Sequence, residues 1–355
     1  MADIQKYIEQ FDANIRLGWN TEDKTLREKR DIILNKLRDR FSEMRKAGED
    51  VPSFDVFNQG SYAMDTGIHP AGGDYDIDVG LKFNCSKTDY LNPVDLKSLV
   101  ADVLEDHTHL GTDIRLSCVT VRYMKDGEQA YHVDLAIYAY DDVGALNRRL
   151  FLAKGKRHSG PDAHWWEESD PQGLIDWVER RFQDSDQEKQ FLRVIRCLKR
   201  WKTEKFKTDG NNAPSGIGLT VAAGQWFQPQ VIHDRTTRET RFDDLKAMRI
   251  FVEETLKRFK QTGWKDSTPL YRLEVHVPVA PGTDIFKRMS EGQMTTFRER
   301  LIQLQERLNE VTTEPDTVRS CELMRKYFGE EFPVPDKNST GRNGGRAIVS
   351  SAVSA

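Results

Sequence analysis

The stretch DYDIDVG, residues 74–80, decides how this chain is read. From Asp76 to Phe83 the residues alternate in the manner of a half-buried strand. Ile77, Val79, Leu81 and Phe83 fall on one face, and Asp76, Asp78 and Lys82 on the other. Two carboxylates two residues apart on a strand project from the same side. They repel each other unless cations sit between them. A second alternating run, Tyr131–Tyr138, carries one more acid. There Val133, Leu135 and Ile137 face one way, and His132, Asp134 and Ala136 the other. A mid-strand aspartate is costly without a partner. If the two strands pair, three carboxylates meet on one patch. Hard divalent ions, Mg²⁺ above all, suit such a patch and share it with phosphate oxygens. Two ions about 3.5–4 Å apart can clamp the attacking and leaving oxygens of a phosphoryl transfer. A calcium loop beginning at Asp74 is excluded, because its sixth and twelfth positions would be Val79 and Cys85 rather than Gly and Glu.

Gly60-Ser61 stands fifteen residues before Asp76. Glycine lets an anion approach the backbone closely. A serine opening a helical turn offers its hydroxyl and N–H to phosphate. Alone the pair is an ordinary turn, but with Asp-x-Asp and a later aspartate it becomes a pattern.

Working outward, residues 2–19 and 22–47 read as helices, Phe54–Asn58 as a strand, and Pro93–Asp106 as a helix with proline near its start. Asp113–Met124 and Ala130–Tyr140 read as strands joined by an Asp-Gly turn at 126–127. Beyond residue 160 helices dominate, at 171–183, 186–206, 215–228, 242–261, 286–309 and 315–328, interrupted by a short β segment at Leu270–Val277. The divisions read from this pattern are 1–160 and 161–332, with a flexible tail over 333–355.

The chain has 355 residues, room for two or three domains at roughly 150 residues each. The formal net charge is −4, which argues against a surface coated in basic charge for duplex nucleic acid. No apolar run approaches a membrane span of about 18 residues, and no leader peptide is read at the start. Cys85, Cys118, Cys197 and Cys321 lack metal or redox spacing and are expected as reduced thiols in a cytoplasmic protein. The near-neutral total conceals two opposed regions. Residues 47–81 hold seven acids and neither Lys nor Arg. Residues 193–207 hold seven basic residues against Glu204, a net +6 that suits a triphosphate.

GSYAMDTG (60–67), DYDIDVG (74–80) and VDLAIY (133–138) resemble the DNA polymerase β-like nucleotidyltransferase superfamily. The two helices before Gly-Ser and the helical second half look most like the bacterial cGAS/DncV-like nucleotidyltransferases, the CD-NTases. The resemblance covers roughly residues 1–330. It implies an α+β fold, with a mixed twisted sheet and helices forming the catalytic core. A helical C-terminal domain follows, and the active site lies in the cleft between the two. It makes Asp76 and Asp78 ligands of two Mg²⁺ ions, with Mn²⁺ as a substitute, and Asp134 a ligand of the catalytic ion that readies the acceptor hydroxyl. Asp74 is read as a loop residue beside the site. Gly60 and Ser61 would hold nucleotide. So would Lys199 and Lys202 from LKRWK, and Ser215, which can also cap its helix.

The implied activity is synthesis of a cyclic di- or trinucleotide second messenger, adenine-rich in the group whose Asp-x-Asp strand is most similar. Its substrates would be ATP, with GTP as a further one, and pyrophosphate would leave. The implied setting is CBASS anti-phage signalling. A separate effector would sense the product, and a HORMA-type or tail-modifying protein would regulate the enzyme. Two alternatives stay open: a template-independent nucleotidyltransferase acting on RNA or protein, and a non-catalytic nucleotide-sensing scaffold. Base choice, linkage, ring size and any activation by nucleic acid also stay open.

Overall fold

The computed structural model describes residues 2–18, 21–70, 75–125, 128–206, 212–233, 236–237 and 239–336. Asp74, the Asp-Gly turn at 126–127 and the tail from residue 337 onward lie outside the described residues. The chain begins with helices α1 (Gln5–Ile15) and α2 (Thr21–Lys46). Strand β1 (Phe54–Asn58), the helical turn α3 (Gly60–Ala63) and strand β2 (Tyr75–Ser86) follow, then helix α4 (Pro93–Leu104). Strands β3 (Thr112–Ile114), β4 (Val119–Lys125), β5 (Glu128–Tyr140), β6 (Leu150–Lys154) and β7 (Trp165–Glu168) come next.

These seven strands form one sheet, ordered β1-β2-β5-β4-β3, with β6 pairing β5 and β7 pairing β6. The central pair β2–β5 is parallel and the others are antiparallel, so the sheet is mixed. Strand β5 is long enough to serve two partners on one side. β4 pairs it as far as Val119↔Leu135, and β6 takes over at Tyr138↔Leu152.

The alternation read in β2 and β5 sets which face is buried. Ile77, Val79, Leu81, Val133, Leu135 and Ile137 are at most 1% exposed. They pack under Ile33, Leu37 and Phe41 of α2 and Leu96, Val100 and Leu104 of α4. Covering one face with helices leaves the aspartate face of the sheet open to form a site.

The second half contains α5 (Pro171–Glu179), α6 (Ser185–Lys205), α7 (Gly216–Trp226), a hairpin of β8 (Val231–His233) and β9 (Thr240–Phe242), and α8 (Asp244–Leu256). It continues with a hairpin of β10 (Lys260–Lys265) and β11 (Thr268–Arg272), then α9 (Glu291–Thr313) and α10 (Thr317–Phe328). Its core includes Phe191, Trp201, Phe286, Phe297 and Phe328, and α1 packs into it through Ile8, Phe11 and Ile15.

The structure departs from the sequence reading at several elements. The sheet runs on to Glu168, because β6 and β7 add strands that short, non-alternating segments did not announce. Asp113–Met124 is two strands, broken where the Arg115 N–H bonds Cys118 O and the chain reverses. The helix expected to reach residue 261 ends at Leu256, and residues 260–265 form β10 against β11. The next helix starts later than expected, where Ser290 and Gln293 build a capping box, and runs on to Thr313. Trp166 donates its indole N–H to Tyr90 O and packs on the sheet's core, whereas Trp165 is exposed.

Candidate active site

The parallel pairing of β2 and β5 places Asp78 directly beside Asp134, and Asp76 beside His132. On the far side of β5, Thr120 of β4 stands opposite Asp134. One cross-strand row therefore reads Thr120, Asp134, Asp78. At the other end the Gln59 N–H donates to Asp78 O at 3.3 Å. Thr120 Oγ1 donates to Asp134 Oδ1.

Asp78 is half-buried, and burial pushes its carboxyl up to about 7, with further upward contributions from Asp76 and then Asp134. His132 and Lys199 pull it the other way. A carboxyl raised by burial and by two neighbouring carboxylates belongs to a hard-oxygen donor set in need of positive charge. That chemistry fits a divalent ion such as Mg²⁺, which Asp76, Asp78 and Asp134 would be the residues to hold. As a trio their oxygens do not close to within 4.8 Å of one another.

Among the described residues, the group whose ligand atoms are that close is Asp184, Asp186 and His233. Other roles account for these side chains. Asp184 caps α6 by accepting from the N–H groups of Asp186 and Gln187, and Asp186 pairs with Lys189.

The Gly-Ser turn sits against the row. Gly60 has φ +69°, and a Cβ on it would stand 1.9 Å from Asp78 Oδ2. Only glycine supplies both the backbone conformation and the space. From this turn the chain returns along α6. Arg196 Nη1 donates to Asp65 O at 2.6 Å, and Lys199 Nζ donates to Thr66 O at 2.9 Å and Thr66 Oγ1 at 2.8 Å. Arg200 Nη2 donates to His69 O at 2.9 Å.

Much of the net +6 stretch is therefore internal. Arg193 binds Asp244, Arg196 binds Asp12 with both carboxylate oxygens, and Arg200 reaches Glu331. Burial pulls Lys199 down to about 7, with Lys202 the next contribution. Burial also lowers Lys202, while Asp76 opposes that shift.

A cleft of about 1300 Å³ opens between the sheet's aspartate face and the helical half. Gly60, Ser61, Asp76 and Asp78 form one wall, and Lys199, Lys202 and Ser215 another. Asp134 is not on the lining; it stands behind Asp78 in the row. Ser215 caps α7, accepting from the Gly218 N–H at 3.1 Å. A Cβ on the next residue, Gly216, would lie 3.9 Å from Lys199 Nζ, so the start of α7 and the lysine share one corner of the cleft.

Two lining residues, Tyr138 and Lys154, were not read from the sequence. Tyr138 donates its hydroxyl to Gln59 Oε1 at 2.9 Å. It lies four residues after Asp134, on the same strand face, so the alternation itself could have found it. Lys154 is buried, bonded to Ser117 Oγ at 3.0 Å and paired with Glu167 at 2.9 Å, with Lys287 3.6 Å from the same carboxylate group. Nothing in the local sequence marked that group, because it depends on β6 and β7. Asp284 lines the cleft but is committed to Arg272 and to the N–H groups of Val275 and Phe286.

The mixed sheet, the Gly-Ser turn beside Asp-x-Asp, and the third aspartate on the neighbouring strand are the features in which this chain resembles the polymerase β-like nucleotidyltransferases. Residues 54–138 match the family described as cyclic GMP-AMP synthase DncV-like, nucleotidyltransferase domain. A curated relative, a cyclic GMP-AMP synthase of Escherichia albertii, is 24% identical over 184 residues, which are 50% of this chain and 38% of that relative. The fold is similar to Vibrio cholerae DncV, a cyclic AMP-GMP synthase, with a TM-score of 0.64 at 19% identity over 93% of this chain and 97% of that one. It is likewise similar to E. coli MS115-1 CdnC, solved with ATP, with a TM-score of 0.64 at 17% identity over 92% and 98% of the two chains. Among the described residues no helix is long and apolar enough to cross a membrane.

Proposed function

We propose that this chain is a Mg²⁺-dependent cyclic oligonucleotide synthase that consumes ATP, with GTP as a further substrate, and releases pyrophosphate. The observation that carries the reading is Asp76 and Asp78 on the lining of a cleft that also bears Lys199 and Lys202, with Asp134 directly beside Asp78 in the strand register. Anion-seeking and cation-seeking groups face each other across a space large enough for more than one nucleotide.

In this reading Gly60 and Ser61 hold the phosphates of the donor nucleotide against the sheet. Lys199, Lys202 and Ser215 hold the triphosphate from the helical side. Asp134, fixed by Thr120, orients the acceptor's 3′ or 2′ hydroxyl and takes up its proton as the hydroxyl oxygen bonds the α-phosphorus. The α–β phosphoanhydride bond breaks and pyrophosphate leaves. Bound magnesium would supply positive charge to the α-phosphate and the leaving pyrophosphate. Repetition and a final intramolecular attack would close the ring.

The finer reading is an adenine-rich product, cyclic tri-AMP, made in the cytoplasm during anti-phage defence and sensed by a separate effector. The similar E. coli CdnC has been solved in complex with a HORMA protein, which supports a regulator of that type here. The test incubates purified protein with Mg²⁺ and labelled nucleoside triphosphates, with and without a HORMA-type partner. Phosphatase-resistant cyclic product is expected. Linear products alone would sink cyclisation, and dependence on an added RNA primer would favour a template-independent polymerase.

A further inference from the structure

The geometry points to Thr120 as the positioning residue that fixes the third carboxylate, Asp134, for metal. This inference rests on the metal reading of the site given above. Thr120 is fully buried on β4, directly opposite Asp134 of β5. A hydroxyl has one proton to give, and an ionised carboxylate can only accept. The proton of Thr120 Oγ1 therefore goes to Asp134 Oδ1. The hydroxyl's own acceptor side faces Cys118 Sγ at 3.6 Å. Burial, with Asp134 next, pushes that thiol up to about 12, so it keeps its proton and donates toward the hydroxyl. The order of donation is Cys118 to Thr120 to Asp134.

The consequence is a division of labour between the two oxygens of Asp134. The carboxylate torsion of aspartate is broad and roughly two-fold, so an isolated side chain rotates through a wide arc. A hydrogen bond to Oδ1 selects the carboxylate plane and leaves Oδ2 as the oxygen that would serve a bound ion. Val119 and Val121, on either side of Thr120, are fully buried on the opposite sheet face, so β4 cannot slide to relax the bond. Partners that orient metal ligands in this way are worth about 10–100-fold in metal affinity or activity.

The test titrates Mn²⁺ into the full chain and follows free ion by electron paramagnetic resonance. Wild type is compared with Thr120→Val, Thr120→Ser and Asp134→Asn. Thr120→Val keeps the branched shape and strand preference but loses the hydroxyl. It is expected to weaken the Asp134-dependent Mn²⁺ site about 10–100-fold. Thr120→Ser is expected to recover most of that loss. In turnover, Thr120→Val should lower kcat and raise the Mg²⁺ requirement while leaving KM for nucleotide nearly unchanged. Thr120→Ala makes the same comparison if valine crowds the row. Equal Mn²⁺ affinity in wild type and the hydroxyl-less variants overturns the inference while the metal reading stands. So does a loss that serine fails to recover. Identical Mn²⁺ binding in wild type and Asp134→Asn overturns both.

Discussion

Gly60 and Asp78 are in contact across the turn that joins β1 to the rest of the site, with no room for even a methyl group between them. A Cβ on Gly60 would stand 1.9 Å from Asp78 Oδ2 and 2.7 Å from its carboxyl carbon. The Gly-Ser turn and the Asp-x-Asp strand thus share one boundary, and displacing either displaces the other. Gly60 also sits at φ +69°, where a side chain costs about 1–2 kcal/mol. Gly60→Ala is expected to lower stability by about that amount. Activity should fall further, by about 100-fold or more, the cost of misplacing a positioned group by about 1 Å. Chemical denaturation and turnover measured on the same preparation separate the two effects.

Lys199 gives a pH dependence whose sign follows from its burial. Its folded-state value is lowered to about 7 from 10.5. Below about 7 the lysine is charged in both folded and unfolded chains. Between about 7 and 10.5 the unfolded chain holds more protons at this site, so its contribution to stability rises with pH. The stability of wild type relative to Lys199→Met should therefore increase from pH 7 to pH 9 in urea unfolding. A bound triphosphate favours the charged lysine and should take up a proton above pH 7. Calorimetry in two buffers of different ionisation enthalpy would detect it.

Ser215 separates capping from nucleotide contact. Loss of its bond to the Gly218 N–H should cost about 1 kcal/mol in stability. If the hydroxyl also meets the triphosphate, Ser215→Ala raises KM for ATP, whereas Ser215→Asp keeps a cap but sets a negative charge against phosphate. The aspartate variant is expected to be near wild type in stability and the poorer of the two in ATP binding.

Lys97 tests the scaffold rather than the chemistry. It is fully buried, and its ammonium donates to three carbonyls, those of Arg115, Leu116 and Gly155. It ties α4 to the turn before β4 and to the end of β6. Lys97→Met leaves three buried carbonyls without that donor and should destabilise the chain by about 2–4 kcal/mol, read by denaturant unfolding. Nucleotide affinity of the folded fraction should be little changed.

The sheet's aspartate face was legible because period-two alternation leaves little choice. Once Val79 and Leu135 point inward, Asp78 and Asp134 must point out, and parallel pairing makes them neighbours. The Gly-Ser turn was legible as a motif, but its reason was not, since the carboxylate that excludes a Cβ at Gly60 lies eighteen residues on. The basic stretch 193–207 was read as a charged face for triphosphate. The structure spends Arg193, Arg196 and Arg200 on Asp244, Asp12 and Glu331, partners set by tertiary packing and invisible to local pattern. β6 and β7 escaped for a related reason. At five and four residues they are too short to show a period, and they are strands because neighbours complete them.

The most direct measurement is Mg²⁺-dependent release of pyrophosphate from labelled ATP and GTP, compared between wild type and Asp76→Asn/Asp78→Asn. The double variant should be verified as folded by circular dichroism, and both proteins should be assayed with any partner that wild type requires. The account expects release by wild type, coupled to a phosphatase-resistant product, and its abolition in the double variant. Undiminished release from the folded double variant would contradict it, because nucleotidyl transfer would then proceed without the carboxylates assigned to hold the metal.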